Sequence, residues 1–170
     1  DYVGAYEPWK AVFTMAPCAE VSTYAYGAMI LANVLVKEQD MTKKKAYFNE
    51  LMNLYDTRLK HMDALNSFTK ADKRATKGDI LARKAFDYAY YGAGVADGYS
   101  LDKAYTMFRE GIDLINKDGA KELPGIVIDK YFEISYQRYI ADSTAFREQF
   151  LKDYMESREA CQGMLSLANE

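Results

Sequence analysis

Apolar residues in this chain recur at helical spacing in three successive pairs of segments, and a small residue falls where the members of a pair must cross. That pattern limits the fold more than any composition does. A lone pair of amphipathic helices cannot bury both of its apolar stripes, so neighbouring pairs have to stack on one another. No stretch alternates between apolar and polar residues at period two, so the expected class is all-α. The pairs are expected near 20–65, 79–117 and 124–168, within a single domain spanning 1–170.

The spacing predicts about seven helices. A short first helix opens at Pro8, with Trp9, Val12 and Phe13 on one side, and Pro17 interrupts it. The second, from Glu20 to Gln39, carries Val21, Tyr24, Ala28, Leu31 and Leu35 on one face. Met29, Ile30, Val34 and Val36 make its other side apolar too, so it is expected to be buried nearly all round. Asp40 to Thr42 supply turn and cap residues. A third helix then runs to Leu65 on a stripe of Phe48, Leu51, Met52, Tyr55, Leu59 and Met62. The lysine-rich stretch from Asn66 to Gly78 reads as the longest irregular connection. Asp79 is expected to cap a fourth helix holding Leu81, Ala82, Ala85 and Phe86, which Gly92, Gly94 and Gly98 break. Ser100 caps a fifth with Ala104, Phe108, Ile112 and Ile115, and Asp118-Gly119 ends it. Pro124 opens a sixth helix, and Asp142 or Ser143 caps a seventh that shows Phe146, Phe150, Leu151, Tyr154, Cys161 and Leu165.

Several chemistries have no sequence support. His61 is the single histidine, and no His-x-x-x-His, Glu-x-x-His or Cys-x-x-Cys occurs, so no metal site or cofactor is expected and His61 reads as a surface residue. Gly92 to Gly98 lacks the Gly-Lys-Ser/Thr of a phosphate loop and follows a helix rather than a strand. Ser22, Ser100 and Ser143 fit helix starts, and no Gly-x-Ser-x-Gly elbow exists. No catalytic residue is nominated and the chain is not expected to be an enzyme. A net charge of −3 weighs against nucleic acid as a partner, because acids such as Glu50, Asp56 and Asp72 dilute the basic clusters. The longest apolar stretch, Ala25 to Val36, is shorter than the ~20 residues that cross a bilayer, so no membrane span is expected. Cys18 and Cys161 could form a disulfide only if the fold brought their Cα atoms within about 7 Å, which places near opposite ends of the expected stack do not favour, so cysteine usage leaves the compartment open.

The crossing positions resemble the tetratricopeptide pattern. Tyr24-Ala25-Tyr26-Gly27 is similar to its first-helix signature, as is Leu81-Ala82 with Ala85. Ala104, Phe108 and Gly111 match the second-helix spacing; Ala46 and Ser135 are weaker counterparts. The intervals from Gly27 to Ala82 and from Ala82 to Ser135 are 55 and 53 residues, lengthened against about 34 in the standard repeat. The opening Tyr6-Glu7-Pro8-Trp9-Lys10 and the segment Leu51 to Arg58 also resemble the N-terminal region of envelope-associated tetratricopeptide proteins of Gram-negative bacteria. The resemblance implies a short right-handed α-solenoid and a binding or assembly role. It also implies a periplasmic or envelope-associated location, with the cytoplasm as the alternative. Asp1 in place of an initiator Met, and a last helix without a stop signal, lead to the expectation that the natural protein continues.

A concave ligand face would be lined by the first helix of each pair, which nominates Tyr24, Arg83, Asp87, Tyr136 and Tyr139. The partner expected there is a protein or peptide. The tyrosine load, fifteen residues, keeps a small-molecule or glycan-binding module open as the alternative, with a helical lyase third.

Overall fold

The computed structural model describes residues 1–118 and 124–167, and among them every regular element is helical. In chain order these are α1 (Tyr6–Met15), α2 (Ser22–Lys37), α3 (Met41–Lys60), α4 (Met62–Ser67), a short 3-10 turn (Ala71–Lys73), α5 (Lys77–Tyr91), α6 (Leu101–Asp118), α7 (Gly125–Ala141) and α8 (Ser143–Leu167). The expected Gly119 stop and the continuation to Ala168 lie outside the described residues.

Local chemistry sets most of the boundaries. The Asp40 carboxylate accepts from Thr42 N at 2.8 Å and Lys43 N at 3.0 Å, satisfying two orphan donors at the start of α3. The cap of α5 is Thr76, not Asp79: Thr76 Oγ1 accepts from Asp79 N at 3.1 Å while the Asp79 carboxylate accepts from Thr76 N at 2.9 Å. This reciprocal pair is a capping box, and it brings Gly78 into the helix instead of the loop. Gly94 (φ 72°) and Gly98 (φ 67°) adopt left-handed backbone between α5 and α6, which is why the chain breaks there.

The third helix does not run unbroken to Leu65. It ends at His61 (φ −106°, ψ 11°), and the single non-helical residue re-aims α4 so that Leu65 reaches the core at 2% exposure. The expected long loop is also tighter than its composition suggests. Asn66 clips it shut, donating to Ala75 O at 2.9 Å and accepting from Ala75 N at 3.2 Å.

Consecutive helices pack as pairs, α2 with α3, α5 with α6 and α7 with α8; α3 lies on α5, while α5 and α6 both touch α7. The small residues sit at these crossings. A Cβ on Gly27 would stand 2.6 Å from both Leu54 Cδ1 and Trp9 Cε2. Ala82 faces Gly111 and Gly78 faces Ile115, the reversed order of an antiparallel pair. Ser135 occupies the corresponding place in α7 and is fully buried. Ala46 does not: it is exposed, because α3 turns Phe48, Leu51, Leu54 and Tyr55 inward instead.

Two apolar clusters result. One gathers Trp9, Tyr24, Leu31, Leu51 and Leu54 where α1, α2 and α3 meet. The other runs from Ala82 and Ala85 through Phe108 and Ile112 to Tyr131 and Phe146. Each buried Leu or Phe contributes about 1.5–3 kcal/mol. Two expected faces are corrected. Helix α2 is not buried all round, since Tyr26, Met29 and Val36 are exposed on the side that no helix covers. In α1, Val12 is likewise exposed while Trp9 is buried.

Candidate functional site

Helix α8 carries the least expected inward face. Leu151, Tyr154 and Leu165, read as its apolar stripe, are exposed; Phe146, Asp153 and Ser157 point inward. Asp153 is completely buried, and such a carboxylate is tolerated only when its lone pairs are occupied. Ser135 Oγ of α7 donates to it at 2.6 Å, Tyr105 Oη of α6 at 3.2 Å and Gln149 Nε2 at 2.8 Å. The Arg109 guanidinium lies 3.8 Å away. One buried acid thus ties three helices together.

Arg109 extends this network toward solvent. It donates to Tyr131 Oη at 2.7 Å and forms ion pairs with Glu156 and Asp113. Asn116 Nδ2 in turn donates to Glu156 at 2.6 Å. Burial opposes the Arg109 cation, but Tyr131 and Glu156 outweigh it and raise its pKa above the usual guanidinium value. Burial pushes the Tyr131 hydroxyl well above its ordinary range, and burial with the Asp153 charge pushes Tyr105 up to about 12.

Beside this network opens a cleft with a volume of about 790 Å³, between α6, α7 and α8. Its apolar walls are Ile112, Ile128, Leu151 and Met155; Arg109, Asn116, Lys152 and Glu156 supply polar edges. Ser157 lines it as well, and its buried hydroxyl has no hydrogen-bond partner among the described residues. The arrangement offers an apolar trough with a rigid, charge-compensated rim and one unsatisfied hydroxyl. In a lining of this kind a few placed polar groups fix a ligand's orientation against apolar walls.

The residues nominated from sequence fall in two other places. Tyr24, Arg83 and Asp87 gather around Tyr55 and Arg58, where α2, α3 and α5 meet. Tyr24 is 1% exposed and donates to Pro17 O at 2.7 Å, so it is a core residue and not part of an open face. Asp87 is buried too, accepting from Tyr55 Oη at 2.5 Å. Burial raises Asp87 to about 6, although the Tyr55 hydrogen bond and the Arg83 charge pull the other way. Arg83 is exposed, and burial together with the Arg83 charge lowers the pKa of half-buried Arg58. Tyr136 and Tyr139 lie on α7, where Tyr139 stacks on Phe150 with ring centroids 4.8 Å apart and Tyr136 is exposed.

Arg109, Asp153 and Glu156 were not legible as a set. One signal existed: Asp153 stands seven residues after Phe146 and three after Phe150, on the inward face of a helix. Among the described residues no group of three or more His, Cys, Asp or Glu could hold a metal ion. No helix among them is long and apolar enough to cross a membrane. No known protein family, curated protein or solved structure matches this chain.

Proposed function

We propose that this chain is a non-catalytic helical-repeat scaffold, built like a short right-handed tetratricopeptide stack, that binds a peptide segment of a partner protein in the bacterial envelope. The sequential packing of antiparallel pairs, with small residues at their crossings, supports the repeat reading. The observation that carries the binding role is the α6–α7–α8 cleft, where the Ser157 hydroxyl awaits a partner above apolar walls. A peptide supplies what this lining lacks: an apolar side chain for Ile128 and Met155, and a backbone amide or carbonyl for the hydroxyl.

The glycan-binding alternative draws on the tyrosines, but their placement weighs against it. Tyr24, Tyr55, Tyr105 and Tyr131 are buried with their hydroxyls paired inside the protein. The test is affinity capture from native cell envelope, comparing the wild type with the surface variants Met155→Glu and Lys152→Glu. A protein recovered by the wild type and lost by both variants is the expected result. Equal recovery by the variants removes the cleft from the proposal, and enrichment of a saccharide without any protein overturns it in favour of the alternative.

A further inference from the structure

Cys18 and His61 are 43 residues apart in sequence, yet Cys18 Sγ lies 3.0 Å from His61 Nδ1. Both residues are half-buried, so the pair is reachable from solvent. Each is held by its own surroundings. Cys18 sits in the connection between α1 and α2, next to Pro17, whose carbonyl is gripped by the buried Tyr24 hydroxyl at 2.7 Å. His61 is the hinge between α3 and α4; its N–H donates to Thr57 O at 3.1 Å and its carbonyl accepts from Leu65 N at 3.0 Å. A thiol and an imidazole fixed at hydrogen-bond distance form a nucleophile with its base. One turn before His61, Arg58 has no hydrogen bond or ion pair among the described residues, and Tyr24 lies within electrostatic range of both Arg58 and Cys18. Tyr24 thus has a cation and the thiol as common neighbours, and Asp79 offsets part of that cation's charge. Cys161 offers the contrast, an exposed thiol on α8 with no hydrogen bond among the described residues.

We propose that Cys18 and His61 constitute a thiol-modification site that forms mixed disulfides with small anionic disulfides. As Cys18 Sγ attacks one sulfur of the disulfide, its proton passes to His61 Nδ1. The new S–S bond forms while the original one breaks, and the departing thiolate takes the proton from His61 to leave as a thiol. The small disulfide supplies the oxidising equivalents: one of its sulfurs is reduced to thiol as Cys18 is oxidised. This inference is independent of the peptide cleft, which lies on other helices.

The test uses the intact protein with oxidised glutathione at neutral pH, following adducts on Cys18 and Cys161 separately by peptide-mapping mass spectrometry. Cys18 is expected to react at least about tenfold faster than Cys161 despite being less exposed, a modest share of what a positioned base contributes in enclosed sites. His61→Gln is expected to bring the two rates together without altering that of Cys161. Arg58→Met is expected to slow the reaction with oxidised glutathione but not with neutral hydroxyethyl disulfide. A wild-type Cys18 no faster than Cys161 overturns the proposal even if His61→Gln fails to fold. So does a folded His61→Gln protein that keeps the advantage, and an Arg58→Met change affecting both disulfides equally removes the anion preference.

Discussion

Replacing Gly111 by Ala tests a close backbone approach between α5 and α6. A Cβ at this position would lie 2.6 Å from Ala82 N, 2.9 Å from Ala82 Cα and 3.1 Å from Ala82 Cβ. Two of these three atoms are helix backbone, so no rotamer change relieves the clash and α5 must move away from α6. One turn along, Gly78 makes a second close approach to the same helix, where a Cβ would meet Ile115 and Gly111 O, so the movement also loosens that contact. In an open helix the substitution gains about 1 kcal/mol from propensity. Overpacking of a well-filled core costs about 1–3 kcal/mol, and a clash with backbone belongs at the upper end. The net expectation is a loss of about 1–2 kcal/mol, which lowers the melting temperature by roughly 2–8 °C for a domain of this size. Gly163→Ala in α8 provides the control, since nothing lies within 4 Å of its added Cβ and the same propensity gain should appear unopposed. Urea unfolding followed by circular dichroism measures both variants. A Gly111→Ala protein as stable as the wild type would refute the close crossing from which the fold has been argued.

Asp153→Ala should cost about 3–5 kcal/mol, because it strands Ser135, Tyr105 and Gln149 around an empty position; a loss below about 1 kcal/mol in urea unfolding would mean that the network is dispensable. Asp87 gives a pH dependence with a defined sign. Its folded pKa of about 6 lies above the ordinary 3.8, so the folded state holds the extra proton and stability falls as pH rises from near 4 to near 6. The contribution is roughly 2–3 kcal/mol across that window, and Asp87→Asn should lack it. Parallel unfolding titrations of the two proteins that stay level across the window would contradict the assigned environment of Asp87.

The all-α class and the order of the helices were legible because periodicity of 3.6 persists over long segments, and the glycine breaks at Gly94 and Gly98 demand left-handed backbone. Gly27, Ala82 and Gly111 stood out for a related reason, as small residues inside large apolar stripes. What failed was any feature that depends on a distant partner. Asp153 reads as a solvated acid until Tyr105 and Ser135 are placed around it. His61, read as a partly exposed surface residue and found half-buried, carries no sign in the sequence of Cys18 arriving from another loop. Tyr24 was nominated for a ligand face because position on a helix says which side a residue occupies, not whether α1 covers that side; Phe13 packs edge-on against its ring at 5.7 Å.

The polar and the small residues divide the work of holding this stack in register. Apolar faces alone permit neighbouring helices to slide, since one Leu contact resembles the next. Within a pair, sliding is opposed by shape: Gly27 admits Leu54 and Trp9, and Gly111 admits Ala82, at single positions along the helix. Between pairs, buried hydrogen bonds add to the packing. Tyr55 on α3 reaches Asp87 on α5, joining the first pair to the second. Tyr105 on α6 and Ser135 on α7 meet at Asp153 on α8, joining the second to the third. Each hub is buried, so any slip that separates its members leaves a carboxylate without donors in a low-dielectric core, at a cost of several kcal/mol. The cleft beside Arg109 inherits its shape from the second of these hubs, which places the fixed side of the proposed binding surface where two pairs are locked together.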